Sequence, residues 1–305
     1  MTTEKIFDEA LKNILSEDEI LKDEPMKHHT TFRVGGPAEY YLRPKKEQVA
    51  EVLRLCLTYQ KEYLIIGNGS NLLVSDKGIS GVVIEIGKQM DEITVDGTTI
   101  YAQAGAMLSK TAHAALEAGL TGMEFAAGIP GCVGGAVVMN AGAYGGEMKD
   151  ILKSVTVLTA DGQENQLTPG DLEMSCLHSS ITEERYMVLG VTIALEAGSQ
   201  EQIRAKMEEL KEKRVEKQPL EYPSAGSTFK RPEGYFAGKL IMDAGLRGFQ
   251  VGGAAVSEKH CGFVINKEKA TASDVYRLIQ EVQQEVYRQF GVKLETEVKM
   301  VGDFR

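Results

Sequence analysis

Apolar residues recur at helical spacing along the chain, and this spacing predicts helices at residues 4–15, 47–59, 109–118, 201–213, 237–244 and 271–290. In the last of these helices, Thr271 can cap the first turn together with Asp274, and the apolar stripe indicates a core-facing surface. Short or alternating apolar runs predict strands at residues 38–42, 63–66, 82–86, 99–104, 151–159, 186–195, 261–265 and 292–300.

Turn residues separate these elements. Asp96-Gly97 lies between two apolar runs and predicts a β-hairpin. The helical pattern of residues 201–213 gives way to a segment that contains Pro219 and Pro223, and these two prolines predict a linker in front of a second unit.

The composition indicates a folded, acidic protein. The chain has 305 residues, of which 43% are hydrophobic, so it can bury one large core or two smaller ones. A formal net charge of −10 argues against a nucleic-acid partner, although a local basic pocket could still bind an anionic ligand. The four cysteines are widely spaced, and the N-terminus is charged and amphipathic. We therefore expect a cytoplasmic protein without disulfide bonds, signal peptide or membrane span.

The stretch from Gly128 to Gly146 holds seven glycines, and no charged residue occurs between Phe125 and Gly146. Pro130 and the glycines argue against a membrane helix, because they favour turns. Glycine lets the backbone come close to a guest, and backbone N–H groups commonly bind phosphate. The stretch therefore predicts either a phosphate-binding run of tight turns or a glycine-rich crossing in the core of a β domain.

A second glycine-containing turn follows the predicted strand at residues 63–66. Its sequence, G-N-G-S-N-L-L-V at residues 67–74, has the outline of a phosphate-contacting turn. It is not a Rossmann fingerprint, because the third glycine is missing and no helix pattern begins there.

The tandem His28 and His29 could suggest a metal ion. No third ligand stands at useful spacing, so we expect a capping or solvent-exposed role and predict no metal site.

Four motifs occur in a fixed order: I-G-N-G-S-N-L-L-V at 66–74, G-I-P-G-C-V-G-G followed by N-A-G-A-Y-G at 128–145, P-S-A-G-S-T-F-K at 223–230, and E-T-E-V at 295–298. Together they closely resemble the UDP-N-acetylenolpyruvoylglucosamine reductase family, flavoenzymes that complete UDP-N-acetylmuramate for bacterial peptidoglycan. The resemblance extends over nearly the whole chain, and it is to the form without the extra tyrosine-bearing loop.

The resemblance implies an α+β fold. Residues 1–218 would form an FAD-binding part of the vanillyl-alcohol oxidase type, with subdomains at about 1–75 and 76–218. Residues 219–296 would form an α/β substrate-binding domain, and residues 297–305 a C-terminal strand and tail. The residues expected around FAD are Gly67, Asn68, Gly69, Ser70, Asn71, Leu72, Ala127, Gly128, Ile129, Pro130, Gly131, Gly134, Gly135, Asn140, Ala141 and Gly142.

The resemblance also implies a reaction. NADPH would reduce the FAD and leave, and the enolpyruvyl ether of a UDP-sugar would then enter the same cleft. Ser227 would donate a proton, and Glu297 would assist the charge that develops beside the substrate carboxylate. Lys217, Gly226 and Lys230 would bind the substrate. Without the resemblance, Ser227 would be an ordinary turn residue and Glu297 an acid on a strand; with it, we expect a raised pKa at Glu297.

One segment departs from the family pattern. The family normally has aromatic-x-Tyr-Arg-x-Ser where this chain has M-S-C-L-H-S, so that Cys176 replaces the tyrosine and Leu177 the arginine. Leucine cannot offset an anion, and losing one such donor typically slows a reaction by roughly two to three orders of magnitude. Slow turnover is therefore expected, unless His178 or Arg185 supplies the cation or the alignment shifts in this loop.

Two other functions stay open at this point. One is a different FAD oxidoreductase of the same superfamily, such as an oxidase of an alcohol or a sugar. The other is a non-catalytic protein that keeps a nucleotide-sugar pocket, and Leu177 favours it. Reduction of bound flavin by NADPH distinguishes both from the reductase.

Overall fold

The computed structural model describes residues 3–175 and 178–305. The helices are α1 (Thr3–Lys12), α2 (Lys46–Thr58), α3 (Leu108–Glu117), α4 (Val133–Val138), α5 (Met148–Ile151), α6 (Gln200–Lys217), α7 (Ala237–Asp243) and α8 (Ala272–Phe290). The strands are β1 (Ile20–Pro25), β2 (Pro37–Leu42), β3 (Tyr63–Ile66), β4 (Leu72–Val74), β5 (Ile79–Glu85), β6 (Ile93–Asp96), β7 (Thr99–Gln103), β8 (Leu120–Thr121), β9 (Gly142–Ala143), β10 (Gly146–Glu147), β11 (Leu152–Leu158), β12 (Glu164–Leu167), β13 (Met187–Ala194), β14 (Glu196–Ala197), β15 (Gln250–Val251), β16 (Ala254–Val256), β17 (Val264–Asn266) and β18 (Lys299–Val301).

The chain forms two compact units, each with its own hydrophobic core. The first unit consists of Met1–Leu21, Tyr40–Asn68 and Gly81–Arg214. The second consists of Lys22–Glu39, Gly69–Ser80 and Val215–Arg305. Two early segments thus belong to the unit that also holds the C-terminal third of the chain. The domain bounds implied by the family resemblance stay a prediction.

The first unit is built on a five-stranded antiparallel sheet in the order β12–β11–β13–β7–β6. The predicted hairpin at Asp96-Gly97 joins β6 to β7 and is confirmed, with Gly97 at a φ of 55°. Alternating residues of the central strands, such as Ile100 and Val191, are fully buried. In the same unit, β3 pairs in parallel with β5, and Tyr63 lies opposite Val82.

The second unit is organised around α8. The predicted capping box is confirmed, because Thr271 Oγ1 accepts the N–H of Asp274 and the Asp274 carboxylate accepts the N–H of Thr271. The carboxylate of Asp76 also accepts the N–H groups of Ala272 and Ser273, each at 2.8 Å. The apolar stripe of α8 belongs to the core with β16 and β17, as predicted: Val275, Leu278, Ile279, Val282 and Val286 are all fully buried.

Three predicted segments differ from the structure. The glycine-rich stretch is not turns alone, because it contains helix α4; Cys132 Sγ accepts the N–H of Gly135, and a Cβ on Gly134 would lie 2.8 Å from that of Ala104. Tertiary contacts therefore impose a short helix that its propensity does not favour. Of the strand predicted at residues 292–300, only the end forms a regular strand, which is β18. The strand predicted at residues 261–265 begins three residues later, at Val264, and is β17.

His28 and His29 both lie beside the Glu24 carboxylate, at 3.5 and 2.9 Å. The described residues contain no group of three side chains suited to holding a metal ion. Within the same residues, no helix is both long and apolar enough to cross a membrane.

Candidate functional site

In the first unit, the two glycine-containing motifs meet. Asn68 Nδ2 donates to the carbonyl of Pro130 at 2.9 Å. A Cβ on Gly67 would lie 2.2 Å from Cys132 Sγ, so only glycine lets these loops come this close. The two motifs that carry the predicted cofactor residues of the first unit are therefore in direct contact, although they lie far apart in the sequence.

The glycines of the long stretch make room for other parts of this chain. A Cβ on Gly128 would lie 3.2 Å from both Cδ and Nη1 of Arg214. A Cβ on Gly146 would lie 2.5 Å from the Phe125 ring. The contacts of these glycines thus explain close loop packing, whereas close approach to a guest stays a prediction.

Asn140 is one of the residues predicted to bind FAD, but its side chain forms hydrogen bonds with other groups of the protein. Its Nδ2 donates to the Glu147 carboxylate at 2.8 Å and to the Ser175 carbonyl at 2.9 Å, and its Oδ1 accepts the N–H of Lys149 at 2.9 Å. The residue is buried and has a φ of 42°. Its side chain fixes this turn, and only its backbone remains for a ligand.

In the second unit, three hydrogen-bond donors have no acceptor among the described residues: the Thr31 hydroxyl and the backbone N–H groups of Gly69 and Ser70. The buried hydroxyl of Thr31 has no hydrogen-bond partner, and the N–H of Thr31 donates to the Gly69 carbonyl at 3.3 Å. The backbone N–H groups of Gly69 and Ser70 likewise donate to no group in the described part of the chain. Leaving a buried donor such as the Thr31 hydroxyl unpaired costs about 1–3 kcal/mol, and an anionic group that accepts from it and from the neighbouring N–H groups would suit this loop.

The loop that carries these donors is joined to the E-T-E-V motif. Asn71 Nδ2 donates to the carbonyl of Glu297 at 3.1 Å. Immediately afterwards, β4 pairs in parallel with β18, and Leu72 lies opposite Lys299. The start of the predicted FAD loop in this unit and the predicted catalytic glutamate are therefore held together by the chain itself.

The segment that contains Ser227 is bonded on both sides. The N–H of Thr228 donates to the Gly262 carbonyl, and the Thr228 carbonyl accepts the N–H of Glu297, both at 2.9 Å. The buried Thr228 hydroxyl accepts the N–H of Val264 at 2.9 Å. The backbones of Ser227 and Glu297 are consequently close together, because the residue after Ser227 bonds directly to Glu297.

The carboxyl of Glu297 has a raised pKa. Burial raises the pKa of its carboxyl from the ordinary value of 4.5 to about 7, while the positive charge of Lys230 pulls the pKa down. The raised pKa expected from the sequence is therefore present. At neutral pH this group can either donate or accept a hydrogen bond.

The predicted substrate-binding residues lie at exposed positions of the second unit, or next to open space. Lys230 Nζ lies 3.4 Å from the Glu295 carboxylate. Lys217 is the last residue of α6 and is exposed. Gly226 has a φ of 75°, and a Cβ there would meet no atom within 4 Å. The three stay predictions as substrate contacts.

The segment that departs from the family pattern is described only in part. Cys176 and Leu177 lie outside the described residues. On one side of the gap, His178 Nδ1 lies 3.7 Å from the Glu183 carboxylate, and both side chains are largely exposed. Arg185 is exposed and has a φ of 55°.

Three residues with functional potential were missed by the sequence reasoning. Thr31 is described above. Arg214 is partly buried against Gly128, and burial lowers the pKa of its guanidinium. His260 Nδ1 accepts the N–H of Gly262 at 3.1 Å, and burial lowers the pKa of its imidazole, which favours the neutral ring with its proton on Nε2. No spacing signals these residues, because each depends on tertiary burial.

Comparisons with known proteins agree with this architecture. A family model described as "UDP-N-acetylenolpyruvoylglucosamine reductase, C-terminal domain" matches residues 218–301, and one described as "FAD binding domain" matches residues 38–168. The α+β fold and the FAD-binding domain expected from the sequence are confirmed. Alkyldihydroxyacetonephosphate synthase shares the fold alone, with a TM-score of 0.50 at 18% identity over 63% of this chain and 40% of that chain.

Individual relatives cover almost the full length. The chain is 58% identical to the UDP-N-acetylenolpyruvoylglucosamine reductase of Agathobacter rectalis, over 93% of this chain and 95% of the relative. It is 52% identical to the protein of the same name from Clostridium perfringens, over 97% of each. A crystal structure of UDP-N-acetylenolpyruvylglucosamine reductase from Thermus caldophilus has a TM-score of 0.79 at 35% identity and covers 91% of this chain and 97% of that chain. The chain therefore belongs to the UDP-N-acetylenolpyruvoylglucosamine reductase family, whose members are FAD-dependent oxidoreductases.

Proposed function

We propose that this protein uses NADPH and bound FAD to reduce the enolpyruvyl ether of UDP-N-acetylglucosamine to UDP-N-acetylmuramate, a peptidoglycan precursor. The observation that carries the proposal is the meeting of three motifs in the second unit. Asn71 of the G-S-N-L loop bonds to the backbone of Glu297, and Glu297 in turn bonds to the residue after Ser227. The cytoplasmic location expected from the sequence is part of the same proposal.

The site residues fit FAD. The unpaired donors at Thr31, Gly69 and Ser70 suit the diphosphate, since buried N–H and O–H groups in folded proteins normally have acceptors. Asn68, held against Pro130, and the stretch from Ala127 to Gly142 would line the rest of the cofactor. When bound, FAD supplies the hydride that it has taken from NADPH.

Ser227 and Glu297 handle protons in this proposal. Ser227 Oγ donates a proton to the substrate carbon next to the carboxylate, and its bonded segment limits how far it can move. Glu297, with a pKa of about 7, is neutral often enough at physiological pH to donate a hydrogen bond to the developing anion. Lys217 and Lys230 offset the charges of the substrate's phosphates and carboxylate.

The replacement of the family arginine by Leu177 adds a quantitative expectation. If no other cation takes its place, turnover is roughly two to three orders of magnitude slower than with arginine. His178 is an unfavourable substitute, because it already lies beside Glu183. Arg185 and the partly buried Arg214 are the remaining cations that this proposal considers.

The test is a two-step assay on the purified protein with its cofactor. NADPH should bleach the flavin absorbance, and the enolpyruvyl sugar nucleotide should then restore it with formation of UDP-N-acetylmuramate. Flavin bleaching without reoxidation by this substrate would indicate another oxidoreductase of the superfamily. Binding of the UDP-sugar without any flavin change would indicate a non-catalytic relative, and either result would contradict the proposal.

A further inference from the structure

The second unit contains a pocket that none of the motifs above explains. Its volume is about 510 Å³. It is open to solvent, and three of its six lining residues are basic. The residues that line it are Lys27, Arg33, Pro223, Asn266, Lys269 and Ala270.

The pocket concentrates positive charge on a protein whose formal net charge is −10. Lys27, Arg33 and Lys269 all line it. Among the ion pairs of the described residues, none joins one of these three cations to a carboxylate. Like charges gathered without a counter-charge repel each other, and an anion in the pocket would relieve that repulsion.

The wall between these cations is fixed by Asn266, which is nearly buried. Its Oδ1 accepts the N–H of Ala270 at 2.8 Å, and its Nδ2 donates to the Phe32 carbonyl at 3.0 Å. Phe32 and Ala270 are the direct neighbours of Arg33 and Lys269, so the Asn266 side chain links the two loops that carry these cations. The Asn266 amide nitrogen has a second N–H, which the Phe32 carbonyl does not occupy.

The two loops also hold unusual backbone conformations. Arg33 has a φ of 56° and Lys269 a φ of 54°, in the left-handed region that residues with side chains rarely adopt. Two of the three cations are therefore carried by residues in a sparsely populated backbone conformation, which persists only where the surrounding structure holds it. A preorganised set of charged donors suits a compact, multiply charged anion.

The pocket is connected to the proposed catalytic segment. The Pro223 carbonyl accepts the N–H of Asn266 at 2.8 Å, and Ser224 pairs with Ile265. Ser227 lies four residues after Pro223, and four residues of extended chain span at most about 13 Å. A ligand bound at the pocket by one end could therefore extend towards Ser227.

We propose that this pocket binds a phosphomonoester dianion, and that the 2′-phosphate of NADPH is the group that occupies it during flavin reduction. The second part rests on the proposed function. Arginine and lysine are the usual partners of phosphate, and a phosphomonoester carries more charge than the phosphodiester groups of a dinucleotide or a UDP-sugar. The pocket would thus distinguish NADPH from NADH.

The first experiment measures binding without turnover. Calorimetry on the protein with its FAD compares 2′,5′-ADP, inorganic phosphate and ADP-ribose, which has no phosphomonoester. The pocket variants are Lys27→Ala, Arg33→Asn and Lys269→Asn, since asparagine tolerates the left-handed conformation. The control is Lys293→Ala, which removes one exposed lysine of the same unit outside the pocket.

We expect 2′,5′-ADP to bind more tightly than ADP-ribose, and each pocket variant to weaken 2′,5′-ADP by about tenfold while Lys293→Ala does not. Thermal unfolding of each variant identifies any that fails to fold, and the other two then decide the outcome. Equal affinity of 2′,5′-ADP for the pocket variants and for Lys293→Ala would overturn the site.

The second experiment assigns the phosphate to its source. The KM for NADPH and the KM for NADH in flavin reduction are compared for the same variants. A rise in the NADPH value alone supports the assignment. If the variants lose 2′,5′-ADP and inorganic phosphate equally and the NADPH to NADH ratio does not change, the pocket binds free phosphate and the NADPH assignment is overturned. Since the binding arm needs no substrate, it stands even if the proposed reaction fails.

Discussion

The raised pKa of Glu297 makes a prediction about stability that does not depend on turnover. We consider the substitution Glu297→Gln, which replaces the carboxyl by a neutral group of almost the same shape. In the unfolded chain the carboxyl ionises near 4.5, whereas in the folded protein it ionises near 7. The folded protein therefore holds its proton more tightly than the unfolded chain between these two values.

The sign follows from that difference. The contribution of this carboxyl to stability is greatest below about pH 4.5, where it is neutral in both states, and this contribution falls as the pH rises towards 7 because only the unfolded chain then gains by ionising. The change in pKa corresponds to at most about 3 kcal/mol. The glutamine variant does not ionise and lacks this loss. Its free energy of unfolding relative to the wild type should therefore rise by up to about 3 kcal/mol between acid and mildly alkaline pH.

Urea unfolding at a series of pH values measures the effect through the free energy of unfolding. The matched control is Glu295→Gln, two residues away, whose side chain is 69% exposed and should show no comparable change. If the stability difference between Glu297→Gln and wild type is the same at every pH, the carboxyl is not held in its neutral form and the reasoning about its burial is wrong.

Three further predictions concern the proposed site. Ser227→Ala should leave flavin reduction by NADPH intact and lower product formation by about 100-fold or more, in single-turnover measurements of each half-reaction; equal loss of both half-reactions would indicate a structural role. Thr31→Val removes the unpaired buried hydroxyl, so it should stabilise the FAD-free protein by about 1 kcal/mol yet weaken FAD retention, as followed by unfolding and by flavin release; unchanged retention would remove Thr31 from the cofactor site. Leu177→Arg should raise turnover by roughly two orders of magnitude, and an unchanged rate would mean that this position does not face the substrate carboxylate.

Local signals in the sequence were sufficient for the regular elements. Helix α8 was predicted with its cap because Thr271, Asp274 and the apolar stripe lie within one continuous segment. The hairpin at Asp96-Gly97 was predicted for the same reason. In both cases the stabilising contacts lie between residues that are close in sequence, and that is the information a single sequence carries.

Elements that depend on distant partners were not predictable. The run at residues 292–300 alternates like a strand, but among the described residues its pairing before β18 is the isolated bridge of Phe229 with Thr296. Within the candidate site, Ser227 and Glu297 were found through family resemblance. The orphaned hydroxyl of Thr31 could not be found, because its burial arises only once the segment around Gly69 packs beside it.

The pairing of β4 with β18 has a consequence for how the protein is made. The strand that follows the proposed diphosphate loop acquires its neighbour only when residues 299–301 have left the ribosome. The pairing therefore joins two segments that lie far apart in the sequence, and a chain without residues 299–301 would leave β4 and the proposed cofactor loop without this lateral support.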